Sequence, residues 1–341
     1  MRPQALQNLR TRRNPENALL KEAYARLDED DAVKYLVGAM ESIDPAYTRK
    51  TFEEGDRVKN QIVTGLEGNG LSAEYEYQGS AVKNTHIRAY SDLDLLVLEA
   101  RFYSLEPPQT PTQPYLGNPI DDLLQIRRIC RTTLTSAFPK ADVDDSGLRS
   151  VKISGGSLNR TVDVVPANWY DTNRYAQTRQ KIYRGIHVLN APTRQREPDE
   201  PFIHAALIDQ KDRRTLGNTR KLVRLLKSLK YDSDGKVTMS SFDIESIVYR
   251  MEDGGMRLSP DQDIQLAGSC WLWLRQIKEE ANLPQSLLVP DEKRAIFAQG
   301  KATLAQLEAL EGELGQLMVD IDQGLKRSFR KLAEARIKIP S

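Results

Sequence analysis

The run Asp92-Leu93-Asp94-Leu95-Leu96-Val97-Leu98 constrains the fold more than any other part of this chain. Leu95 to Leu98 demand burial, and so short an apolar run reads as a strand inside a sheet. Yet the strand opens on two carboxylates. Side chains two apart along a strand share a face, so Asp92, Asp94, Leu96 and Leu98 point one way while Leu93, Leu95 and Val97 point the other. The carboxylates then stand roughly 6–7 Å apart along the strand, and they repel each other unless something positive lies between them. A divalent cation suits that position, because Mg2+ takes hard oxygen ligands, commonly one or two carboxylates completed by substrate phosphates.

A third acid is then expected from another strand. Asp163 supplies it, inserted between Val162 and Val164 in a β-branched run that ends at Pro166 and Ala167. It shares a face with Thr161 and Val165. Three carboxylates on adjacent strands can hold two metal ions about 3.5–4 Å apart, which stabilises both the attacking and the leaving oxygen in phosphoryl transfer. Gly79-Ser80, upstream of the paired aspartates, completes the set. Glycine lets backbone approach a phosphate closely, and the serine hydroxyl and nearby N–H groups donate to it, above all where a helix begins. An Asp-x-Asp pair alone is usually an acidic strand end, and Gly-Ser alone says less. It is the conjunction of the three segments that points to function.

Composition narrows the rest. With 39% apolar residues in 341, the chain can bury a sizeable core as one large or two intimate domains. The 49 Lys and Arg nearly cancel the 48 Asp and Glu, so no global field draws the protein onto nucleic acid or an anionic membrane. Two cysteines, Cys130 and Cys270, lie far apart without Cys-x-x-Cys spacing, which supports neither a disulfide framework nor a structural zinc site. No signal peptide or membrane span of about 18 apolar residues is legible, and a reducing cytoplasm is the expected setting.

Apolar spacing predicts a helix over 51–66, a strand at 74–78, a proline-rich loop at 106–119 and a helix over 120–138. Strands at 150–154 and 160–167 read as a hairpin joined by Gly-Gly-Ser-Leu-Asn. Beyond about 185 helical patterns dominate, and 293–338 reads as one or two long packing helices. The layout predicts an α+β, bilobed fold: residues 1–185 as a mixed-sheet lobe with N-terminal helices and the acidic triad, and 186–341 as a helical lobe closing the cleft.

The second informative stretch is 217–232. Leu222, Leu225, Leu226 and Leu229 cluster on one side of a helix, with Arg220, Arg224 and Lys227 almost opposite. Such a stripe is either a solvated basic face or a wall that contacts the β- and γ-phosphates of a nucleotide. Ser240, Ser241 and Phe242 fall at a helix start, where hydroxyls cap the helix or bind phosphate and an aromatic ring packs or stacks on a base. His86, His187 and His204 lack ligand spacing and read as structural. Trp271 and Trp273 read as helix core. Asn168, shortly after Asp163, is a candidate for base selection.

Together Gly79-Ser80, Asp92-Leu93-Asp94 and Asp163 resemble the DNA polymerase β-like nucleotidyltransferases. The segments 201–232 and 240–251 are similar to the helical half of the cGAS/DncV-like nucleotidyltransferases (CD-NTases), signal synthases of bacterial antiphage CBASS systems. The resemblance spans roughly 45–275. It implies that Asp92, Asp94 and Asp163 bind two Mg2+ ions, with Mn2+ as a possible substitute, and that Ser80, beside Gly79, contacts the donor triphosphate. It further implies that Lys227 and Ser241 contact phosphate and that Phe242 takes a position where an aromatic often stacks on a base, with Arg224 of the same basic stripe as a further nucleotide-binding candidate. No cysteine/histidine zinc insertion separates the halves, so DNA sensing is not implied. Partner-controlled or constitutive activity is, with an accessory regulatory protein and a downstream effector reached through the product.

The expected reaction joins ATP, GTP, UTP or CTP into a cyclic di- or trinucleotide messenger and releases pyrophosphate, with Asp163 as the base. A transferase that adds nucleotides to RNA or protein is the alternative, and it needs an extended basic track that the near-neutral charge does not advertise. A nucleotide-binding scaffold is the third reading, against which the intact acid triad argues.

Overall fold

In this computed structural model the protein is described over residues 31–87 and 93–337, with side chains to residue 327. The elements are α1 (Asp31–Met40), α2 (Pro45–Glu67), β1 (Ala73–Gln78), β2 (Leu93–Leu105), α3 (Pro119–Ala137), β3 (Asp142–Asp144), β4 (Val151–Ser154), β5 (Val162–Asp171), α4 (Asn173–Thr178), β6 (Arg184–Asn190), β7 (Gln195–Asp199), α5 (Pro201–Arg214), α6 (Asn218–Asp232), α7 (Ser241–Arg250), α8 (Asp263–Glu279), α9 (Leu283–Ser286) and α10 (Leu304–Ile337). Local chemistry sets the helix starts. Asp44 caps α2 by accepting from the N–H of Ala46 at 2.7 Å, with Pro45 at the first helical position, and Asn118 does the same for α3 ahead of Pro119.

The chain folds as two compact units. The sheet unit holds 44–84 and 93–206, and the helical unit holds 31–43, 85–87 and 207–337 among the described residues. This division differs from a cut at 185 in three ways. The sheet continues through β6 and β7, α1 packs with the helical unit, and so does the 85–87 segment.

The seven strands form one mixed sheet in the order β1-β2-β5-β4-β3, with β6 on β5 and β7 on β6. β2 and β5 run parallel and every other pair is antiparallel. β4 pairs with the first residues of β5 and β6 with its last, so two strands share one edge of β5 in succession. The alternation expected in the acid-bearing strands is present. Leu95, Val97, Val162 and Val164 pack with Val58 and Ile62 of α2 and Leu123 and Ile126 of α3. Leu96, Leu98, Val165, Ala167 and Trp169 form a separate cluster on the opposite face with Ile186 and Val188.

In the helical unit, Tyr35, Leu36 and Met40 of α1 share a core with Leu222 and Leu226 of α6, Ile247 of α7, Leu274 of α8 and Leu314 of α10. The buried Tyr35 hydroxyl donates to Asp232 at 2.7 Å. The C-terminal run is a single helix that begins at Leu304, because Thr303 and Gln306 form a reciprocal capping box: the Gln306 N–H donates to the Thr303 hydroxyl at 3.2 Å and the Thr303 N–H to Gln306 Oε1 at 3.0 Å. No helix among the described residues is long and apolar enough to cross a membrane.

Candidate active site

Three chain segments meet at one end of the sheet. β1 ends with Gln78 opposite Asp94, and Asp94 stands in parallel register with Asp163. Adjacent strands lie about 4.8 Å apart, so the two acids are direct neighbours. Each precedes by two residues a member of the cluster on the second face, Leu96 and Val165, so both project from that face. Gly79 turns the chain immediately beyond β1 with φ +89°, and a Cβ placed there would lie 2.4 Å from Asp94 Oδ2. Only glycine tolerates both the left-handed backbone and this approach.

Asp163 is half-buried and held from β4. The Ser150 hydroxyl donates to Oδ1 at 3.2 Å, and Lys152 Nζ lies 3.8 Å from Oδ2. Neither residue was singled out from sequence, although the signal was available: Ser150 and Lys152 alternate onto one face, and the hairpin register places Lys152 opposite Asp163. Asp92, the remaining acid of the triad, lies outside the described residues. Among the described residues no group of three His, Cys, Asp or Glu converges to hold a metal. The two that pair, with the glycine backbone cradled against one of them, offer the hard oxygen donors and open approach that Mg2+ with a phosphate requires.

Ser80 is half-buried next to Gly79. No helix begins there, contrary to the most favourable expectation. The chain instead makes a turn in which the Asn84 N–H donates to the Ala81 carbonyl at 3.3 Å. Any phosphate contact at this point comes from a turn and a hydroxyl rather than from a helix N-terminus.

The helical unit carries the remaining residues. The basic stripe of α6 is not a solvated face. Arg224 and Lys227 are only 6% and 3% exposed. Arg224 Nε donates to the Met40 carbonyl and Lys227 Nζ to the Thr85 carbonyl, each at 2.8 Å. Arg220 pairs with Asp209 and Asp212. His86 is 2% exposed, and burial followed by the charges of Lys227 and Arg224 lowers its pKa to about 4. At the start of α7, Ser240 is the cap, accepting from the Asp243 N–H at 3.0 Å. Ser241 is the first helical residue, half-buried. Phe242 is 37% exposed, with the Arg294 guanidinium 5.1 Å from its ring centre.

Asn168 is excluded as a base selector by its position. It is fully buried and odd in register to Asp163, so it projects from the opposite face, where its amide donates to Ser104 at 3.0 Å and to the Trp169 carbonyl at 2.7 Å. The histidines are packed, as expected: His187 stacks on Tyr170 with ring centres 4.4 Å apart. Cys130 and Cys270 are buried free thiols pushed up to about 12 by desolvation.

The chain is similar to known proteins in sequence and in fold. Residues 206–318 match the cGAS/DncV-like nucleotidyltransferase C-terminal helical domain. The chain is 32% identical over 286 residues to the cyclic dinucleotide synthase CdnE of Yersinia aleksiciae, covering 83% of this chain and 75% of that protein. It is 33% identical over 324 residues to the c-di-GMP synthase of Capnocytophaga granulosa, covering 86% and 90%. The solved STING-associated CdnE c-di-GMP synthase from Capnocytophaga granulosa superposes with a TM-score of 0.75 at 29% identity, over 95% of this chain and 98% of that one. The chain belongs to the cGAS/DncV-like nucleotidyltransferases, a family of cyclic oligonucleotide synthases, and is an enzyme of nucleotidyl transfer.

Proposed function

We propose that this enzyme condenses two GTP molecules into cyclic di-GMP and releases pyrophosphate at each of two successive transfers. The observation that carries the site assignment is the parallel register of Asp94 with Asp163, with the Gly79 backbone cradled against Asp94. The guanine assignment is supported by the relatives named as c-di-GMP synthases.

In each transfer a ribose hydroxyl of one nucleotide attacks the α-phosphorus of the other. A new P–O bond forms, the α–β P–O bond breaks, and the electron pair leaves on pyrophosphate. The second transfer closes the ring. Asp94, Asp163 and Asp92 would hold the Mg2+ ions, with Mn2+ as a substitute, and when bound these ions acidify the attacking hydroxyl and neutralise the departing pyrophosphate. Asp163 takes the hydroxyl proton on a carboxylate oxygen. Ser150 and Lys152 fix that carboxylate's orientation through their contacts with its two oxygens. Gly79 admits the triphosphate to the backbone, and the Ser80 hydroxyl donates to it. Lys227 and Arg224 supply positive charge from α6 toward phosphate, and Ser241 and Phe242 at the start of α7 receive phosphate and base. The bonds of Arg224 to the Met40 carbonyl and of Lys227 to the Thr85 carbonyl restrain both side chains, which reduces the side-chain entropy lost on binding.

The test is incubation of the full chain with each labelled nucleoside triphosphate and with all four together in Mg2+, then phosphatase treatment and mass spectrometry. A phosphatase-resistant cyclic di-GMP is the expected product. Another cyclic dinucleotide would overturn the base assignment alone, whereas label found only in added RNA or protein would overturn the synthase reading.

A further inference from the structure

Three consecutive residues of α2 meet the acid-bearing edge: Glu54 at the loop that leads into β5, Gly55 against β2 and β1, and Asp56 at β1. Glu54 is only 8% exposed. Its Oε2 accepts from the backbone N–H groups of Asn159 at 2.9 Å and Arg160 at 2.8 Å, and its Oε1 accepts from Asn159 Nδ2 at 2.9 Å. Those residues close the loop between β4 and β5, just ahead of Asp163. Gly55 lies directly on β2: a Cβ there would stand 2.4 Å from Leu93 Cδ2, on the residue next to Asp94, and 3.0 Å from the Tyr77 ring. Asp56 Oδ1 accepts from the Tyr77 hydroxyl at 2.9 Å, two residues before Gly79.

The loop is tied a second time. The Arg160 guanidinium lies 3.7 Å from the Tyr47 ring centre and donates to the Thr51 hydroxyl at 3.3 Å, one helical turn before Glu54. The Leu93 N–H donates to the Thr161 carbonyl at 3.1 Å, which locks β2 to the same loop. A buried carboxylate is tolerated only where donors satisfy it, and Glu54 finds its donors on this loop. A helix packed on a sheet needs apolar side chains, which Val58 and Ile62 already provide. A carboxylate aimed at two backbone N–H groups does something else: it sets how far the β5 strand start stands from its neighbours.

We propose that Glu54, assisted by Gly55 and Asp56, is the positioning element of the catalytic edge, holding Asp163 level with Asp94 and Gly79 so that the carboxylates bind a divalent cation together. Glu54 touches no substrate. The inference rests on the carboxylate reading of the site given above.

The experiment is Mn2+ binding to the full chain without nucleotide, read by electron paramagnetic resonance, for the wild type, Glu54→Ala, Glu54→Gln and Asp163→Asn, with thermal unfolding of each. Glu54→Ala is expected to weaken Mn2+ by about tenfold or more, as removal of groups that orient metal ligands generally does, in a protein that still melts above the assay temperature. Glu54→Gln keeps one acceptor oxygen for the two backbone N–H groups and is expected to fall between it and the wild type. Wild-type affinity in the folded Glu54 variants, with loss in Asp163→Asn, overturns the positioning role and leaves the site reading standing. If Glu54→Ala does not fold, Glu54→Gln decides alone. If Asp163→Asn itself binds Mn2+ as the wild type does, the carboxylate reading fails and the positioning role falls with it.

Discussion

Gly79 and His86, seven positions apart, show how much single residues carry here. Gly79→Ala would place a methyl group 2.4 Å from Asp94 Oδ2 on a backbone at φ +89°. The left-handed conformation alone costs an L-residue roughly 1–2 kcal/mol. The expected outcome is a modest fall in melting temperature and a loss of cyclic product far larger than that fall explains, measured by product formation at saturating GTP. His86 makes a pH prediction. Its folded pKa of about 4 lies below the unfolded value of 6.5, so between those values the unfolded chain binds a proton that the folded one refuses. Stability therefore declines as pH falls through that window, by on the order of 3 kcal/mol at its lower end. His187, lowered to about 4 by burial and then by Arg196, adds to the same trend. Thermal midpoints measured from pH 7 to pH 4 should drop less steeply in His86→Asn than in the wild type. The acid motif and Gly79 were legible in sequence because each has a local pattern. Glu54 was not, since its partners are backbone N–H groups at 159 and 160, and backbone donors carry no residue signature.

Among the elements, α6 departs furthest from its sequence pattern. Periodicity placed Arg224 and Lys227 opposite the leucines, where a helix normally meets water. Both are buried, because the carbonyls of Met40 and Thr85 reach them from segments remote in sequence. Lys227→Met removes the bond to Thr85 together with a charge proposed to meet phosphate, so the expected outcome is a raised KM for GTP. Phe242→Ala at the start of α7 is expected to raise KM and to lower the melting temperature by a few degrees, because the ring is only 37% exposed and its covered apolar area is lost. Steady-state kinetics paired with thermal unfolding separates the two. β6 and β7 escaped the sequence reading for a related reason. β7, Gln195–Asp199, is a polar strand with Pro198 and no buried residue, and β6 alternates poorly around Gly185 and His187. Such strands are recruited by pairing to β5 and not by their own hydrophobic pattern.

At the scale of the whole molecule, the sequence reading placed the acids on a mixed sheet and the basic helix among helices. It missed that the helical unit also takes α1 and the 85–87 segment, an assignment made by packing at Tyr35 and Leu36 and by the Lys227 bond, none of which is local. The central claim is that the neighbouring carboxylates of β2 and β5 perform nucleotidyl transfer. Asp163→Asn tests it most directly, because the amide keeps the size of the side chain and an acceptor for the Ser150 hydroxyl while removing the base. Cyclic product formed from GTP and Mg2+ should be quantified beside the melting temperature of the same preparation. The account gives a loss of about 10²–10⁴-fold or more in a protein that melts as the wild type does; synthesis near the wild-type rate in that folded variant would contradict it.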